Sequence, residues 1–114
     1  MTPKQRAQYM WSCIEKNRDA YVSWYLMLSY LYYQLDITIL PDEDYNTLCV
    51  KLIKELPSIA HRHRHLVDED SLRAGTGYSI TEYPTIAMSA AIRLAKEDRY
   101  LQWNKKRRIW EKRT

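Results

Sequence analysis

The sequence predicts an all-α fold: a small bundle of four to five helices with a polar loop around residues 57–83. Three observations carry this. Apolar residues recur at helical spacing in several separate stretches. Breakers are scarce, with only 2 Gly and 4 Pro in 114 residues. Helix-start signals stand where those stretches begin, at Thr2-Pro3 and Pro41-Asp42. The length suits one domain with a modest core. An apolar fraction of 46% beside 28% charged residues belongs to a folded chain, not a disordered one.

Each element has its own justification. Thr2-Pro3-Lys4-Gln5 places Thr at the N-cap, Pro at the first helical position and Gln at the capping-box position. Ala7, Met10, Trp11 and Ile14 then repeat along one face. Asn17-Arg18-Asp19 reads as a break, with Asp19 expected to cap a second helix over about Ala20 to Leu35. That helix carries Ala20, Trp24, Met27, Leu28, Leu31 and Leu35 on one stripe, and Val22, Leu26, Tyr30 and Tyr33 extend its apolar surface further round. A helix apolar on nearly every side belongs at the centre of a bundle or in an oligomer interface.

Asp36 to Leu40 is β-branched and predicts a short extended connection. Pro41-Asp42-Glu43-Asp44 opens a third helix, with negative charge in the first turn where the helix dipole favours it. Pro57 stops it. His61 to Ser71 reads as irregular, and Gly75-Thr76-Gly77 as a turn. A last helical region starts near Pro84, runs through Ala87, Ala90, Ala91 and Leu94, and is expected to continue or restart through Leu101 to Trp110.

Charge divides the chain into a helical domain, 1–98, and a basic, Trp-containing C-terminal helix or tail, 99–114. The tail holds seven cations against Glu111 alone. With a net charge of +4 for the whole chain, residues 1–98 therefore carry a net −2. On a helix, Tyr100, Trp103, Arg107 and Trp110 would fall near one face, with Lys105, Lys106 and Arg108 around it. Cations beside aromatics suit phosphates and exposed bases, or an acidic protein surface. The plainer alternative tucks the indoles under the bundle.

Met1 to Gln8 is polar and basic, which predicts no secretory signal, and Tyr21 to Leu35 is too short and interrupted to span a bilayer. The expected setting is the cytoplasm, with no membrane partner. Cys13 and Cys49 lack metal spacing and are expected as free thiols, a single disulfide being the alternative. His61-Arg62-His63-Arg64-His65 offers alternate imidazoles, but the interleaved arginines repel a dication, so no metal site is expected.

The stretch from about Met27 to Gly75 resembles the N-terminal, NMN-binding helical module of NAD-dependent DNA ligases. In that family a helix ends in Tyr-His, a connection leads to Pro-Asp-x-x-Tyr-Asp, and Asp-Ser-Pro-Thr-x-x-x-Gly follows. Here Tyr32-Tyr33, then Pro41-Asp42-Glu43-Asp44-Tyr45-Asn46, then Asp70-Ser71 with Gly75 are similar to those pieces. Tyr33 stands at the family His and Asn46 at the second family Asp, and the Pro-Thr of the third piece is missing. The resemblance implies contacts from Tyr32, Tyr33, Asp42, Tyr45 and Asn46 to the nicotinamide and ribose of NMN or NAD. The chain has no Lys-x-Asp-Gly motif, so it lacks the nucleophilic lysine of ligase chemistry.

Residues and resemblance together predict a non-enzymatic small binding protein of the kind a phage or mobile element encodes. It would act by protein–protein contact on a nucleic-acid enzyme or host defence protein, with self-association compatible. The alternatives are an NMN- or NAD-binding accessory module, and a DNA- or RNA-binding protein using the basic tail.

Overall fold

The computed structural model describes residues 1–113; Thr114, the last residue of the expected tail, lies outside the described residues. The molecule is a helical bundle closed by a short two-stranded ribbon. Helix α1, Pro3–Lys16, opens with the full capping box. Thr2 Oγ1 accepts from the Gln5 amide at 3.2 Å, and Gln5 Oε1 accepts from the Thr2 amide at 2.9 Å. Ala7, Met10 and Ile14 go into the core.

Helix α2, Ala20–Leu35, is the central element and packs against α1, α3 and α5, defined below. Its unbroken buried run from Trp24 to Ser29, together with Val22 and Leu31, is what an all-round apolar helix demands. Asp19 does not cap it. Asp19 is itself in helical conformation, and its carboxylate accepts from the Ala60 amide at 3.2 Å, tying the start of α2 to a distant turn. At the other end Asp36 takes a left-handed φ of 54°, and the Ile37 amide closes back on the Leu31 carbonyl at 2.9 Å.

The 37–40 connection is extended and points Ile37, Ile39 and Leu40 into the core. Helix α3, Asp42–Glu55, begins at Pro41, so Asp42 is its first residue and not its cap. Trp11 Nε1 donates to Asp44 Oδ1 at 3.0 Å and pins α1 to the first turn of α3. A 3-10 turn, Leu56–Ser58, carries the chain past Pro57.

Residues 57–83 are less irregular than the sequence predicts. They hold a second 3-10 turn, Arg64–Leu66, and helix α4, Glu69–Arg73, capped by Asp68, whose Oδ2 accepts from the Ser71 amide at 3.1 Å. Helix α5, Thr85–Glu97, buries Ala87, Ala91 and Ala95, one turn apart, and these small side chains let it lie close against α2.

The expected C-terminal helix is not there. Arg99 takes a left-handed φ of 64°, and the Tyr100 amide closes on the Ala95 carbonyl at 2.8 Å, ending α5. The chain then forms an antiparallel hairpin of β1, Leu101–Asn104, and β2, Ile109–Lys112, with Trp103 paired to Trp110. Its turn is built on Asn104, whose Oδ1 accepts from the Lys106 and Arg107 amides at 3.0 and 3.1 Å.

One buried ion pair locks α1 to the end of α5. Arg6 Nε and Nη2 donate to the two Asp98 carboxylate oxygens at 2.8 and 2.7 Å. Among the described residues, no helix is long and apolar enough to cross a membrane.

Candidate functional site

The end of α2, the 37–40 connection and the start of α3 enclose a cleft of about 350 Å³. This lies near the lower end of the ~300–1,000 Å³ usual for small-molecule sites. All five residues singled out from the sequence line it: Tyr32, Tyr33, Asp42, Tyr45 and Asn46. Gly75 and Thr76 close the opposite side, with Leu28, Ile37 and Ile39 among the apolar wall.

These side chains play unequal parts. Tyr32 is 54% exposed at the rim, and its ring meets Tyr33 edge-on with centroids 4.9 Å apart. Tyr33 is half-buried; its phenol oxygen accepts from the Gly77 amide at 3.3 Å, and its ring meets that of Tyr78 edge-on at 6.1 Å. Tyr45 faces inward. Its ring stacks on Tyr25 at 6.1 Å with the planes 21° apart, and its hydroxyl shares a hydrogen bond with Ser29 Oγ at 2.9 Å. Burial pushes the Tyr45 phenol far above its ordinary pKa, and the Ser29 hydrogen bond opposes this only in part. Tyr45 therefore offers ring surface and stays neutral; it is no general base. Tyr45 packs two helices together, whereas Tyr32 does not.

The Gly75–Gly77 turn is the wall that sequence pattern alone marks only as a turn. Tyr25, fully buried in α2, donates its hydroxyl to the Thr76 carbonyl at 2.6 Å. Gly75 sits at φ 71° with Asn46 Oδ1 3.3 Å from where a Cβ would stand. At Gly77 a Cβ would overlap the Ser29 side chain and come within 3.0 Å of the Tyr45 hydroxyl. Both positions therefore require glycine, for conformation in one case and for space in the other. Two glycines around one polar residue were the available signal, and the tyrosines that hold the turn lie too far away in sequence to be read with it.

Among the described residues, the lining carries a single formal charge, the Asp42 carboxylate, and no Lys or Arg. A flat, cationic or neutral ring suits such a cleft, with aromatic faces for stacking and Asp42, Asn46 and Thr76 as polar contacts. A phosphate does not suit its interior and would have to lie outside the mouth.

The tail residues form a different place altogether. Tyr100 is half-buried against the core, while Trp103 and Trp110 protrude together on the hairpin and Lys105, Lys106, Arg107 and Arg108 make its turn. The shared helical face expected for Tyr100, Trp103, Arg107 and Trp110 does not exist, because the strand period puts only the two indoles side by side.

The histidine segment is a turn. His61 Nδ1 accepts from the His63 amide at 3.0 Å, which leaves Nε2–H to meet Ser23 Oγ at 2.9 Å. Burial lowers the His61 pKa, and neighbouring His63 adds to the effect. Among the described residues, no group of three or more His, Cys, Asp or Glu is arranged to hold a metal ion. Both cysteines are free thiols, Cys49 buried and Cys13 half-buried.

Comparison with family models, with curated proteins and with solved structures finds no match to this chain.

Proposed function

We propose that this chain is a non-enzymatic binding module whose cleft takes the nicotinamide end of NMN or NAD. One observation supports the reading above the others: the five positions compared with the ligase module, Tyr32, Asp42 and Tyr45 matching it and Tyr33 and Asn46 departing from it, line a single cleft of about 350 Å³. The oxidised nicotinamide ring is a flat cation. It matches the tyrosine faces and the lone Asp42 carboxylate, and such a ring over an aromatic face gains ~0.5–2 kcal/mol. When bound, the nucleotide would bring only its ring and ribose inside. Tyr33 presents a phenol where the family has His, and its oxygen is already engaged by the Gly77 amide.

Calorimetry with NMN and with NAD tests this. Heat is expected with both, more strongly than with the neutral reduced forms. Tyr32→Ala at the exposed rim should weaken binding by about two- to thirtyfold, on the cation–π scale. Silence with both oxidised ligands rejects the proposal.

A protein partner is the second reading, favoured by Tyr78 and Ile86, which are 82% and 69% exposed. Large apolar side chains this open are anchors of the kind partners cover. A nucleic-acid enzyme or host defence protein captured by the intact chain should be lost with Tyr78→Ser/Ile86→Ser; capture that survives the double change rejects these two side chains as anchors.

A further inference from the structure

We propose that the C-terminal hairpin is a docking ribbon for single-stranded nucleic acid, independent of the cleft. Register pairs Trp103 directly with Trp110, so both indoles leave the same face of the ribbon, with centroids 5.8 Å apart and planes at 60°. They are 48% and 45% exposed, in a protein whose Trp24 is buried. The Lys96 ammonium lies 4.2 Å from the Trp110 ring centroid and covers one of its faces; Trp103 has no such cover among the described residues.

The turn between the strands is four consecutive cations, all exposed: Lys105, Lys106, Arg107 and Arg108. Arg107 has a distant carboxylate, Glu111, at 3.8 Å. Lys105, Lys106 and Arg108 have no acidic partner among the described residues. The base of the ribbon meets the bundle where Leu101 packs against the core and Lys112 pairs with Asp36 at 3.0 Å, and the Arg113 amide extends the strand pairing to the Tyr100 carbonyl at 2.8 Å.

Its occupant has to bring both negative charge and flat unsaturated faces. An acidic peptide supplies the first and little of the second. An anionic bilayer calls for apolar residues at the leading tip, whereas here the tip is wholly cationic and the indoles stand behind it. Duplex nucleic acid hides its base faces in the stack. A single strand exposes both, with phosphates for the turn and bases for the indoles.

The test is fluorescence anisotropy of the full chain with a labelled oligothymidylate of about twelve nucleotides, within the usual span of single-strand sites. Affinity should fall with salt at a slope of roughly −2 to −3, as three or four neutralised phosphates on a single strand require. Lys105→Glu/Lys106→Glu, in an exposed turn that leaves the strand pairing alone, should flatten that slope and weaken binding at least tenfold. Trp103→Ala should weaken binding roughly tenfold with the slope unchanged, and Trp103→Phe should restore most of it. The proposal is overturned by any of three results: no salt-dependent binding, a Trp103→Ala variant that binds like the parent, or equal affinity for duplex DNA, polyglutamate or phosphatidylserine vesicles.

Discussion

Asp98→Ala is the most informative single change to the fold. It removes a carboxylate whose side chain is 1% exposed and strands the Arg6 guanidinium, 4% exposed, inside the protein. Among the described residues, the only other acid on Arg6 is Glu97 at 3.3 Å, and that side chain is 55% exposed, so it replaces little. Leaving one partner of a buried pair uncompensated costs about 3–5 kcal/mol. At roughly 4 °C per kcal/mol for a domain of this size, the melting temperature should fall by about 12–20 °C. That is a large share of the ~5–15 kcal/mol that holds a typical domain together. Replacing both residues, as Arg6→Met/Asp98→Leu, should recover most of the loss, because no charge is then left buried. Thermal and urea unfolding followed by helical circular dichroism measure both. A cost below about 1 kcal/mol for Asp98→Ala, the value of an exposed pair, would mean that the Arg6–Asp98 pair is solvated and not a lock. A double variant no better than the single one would show that the loss does not come from a stranded charge.

Three more outcomes are expected. Burial alone would raise the Asp98 pKa, but the hydrogen bonds from Arg6 and the Met1 amine outweigh it and hold the carboxyl below its usual range. Its stabilising effect should be complete above the unfolded value of about 3.9 and vanish as pH falls through the folded value. Urea midpoints should show that loss in the parent and not in Asp98→Asn. Gly77→Ala should destabilise by about 1–3 kcal/mol through overpacking against Ser29 and Tyr45, and calorimetry should show weaker NMN binding. Burial pushes the Cys49 thiol up to about 11, so a thiol reagent at pH 8 should modify Cys13 first and reach Cys49 only on unfolding.

What the sequence made legible was local. The α1 capping box and the acidic first turn of α3 are each written within one helical turn, the span of α2 is written in its own continuous apolar run, and each is where pattern places it. The cleft was partly legible for the same reason, since Tyr32 to Asn46 surround one connection. Its far wall was not, because Tyr25 and Tyr33 reach it only through contacts made after folding. The hairpin was hidden by chemistry: the left-handed positions that end α5 and shape the ribbon's turn are Arg99 and Arg108, where glycine or asparagine would have flagged them. The Arg6–Asp98 lock joins residues at opposite ends of the domain, with no local sign of pairing.

The indoles of Trp103 and Trp110, 5.8 Å apart, are near enough for their electronic transitions to couple. Such coupling adds an indole signal to the amide signal of the helices, and it is lost when the strands part. Fraying of the two strands can be timed while the bundle is still intact, without adding a dye or deleting a residue.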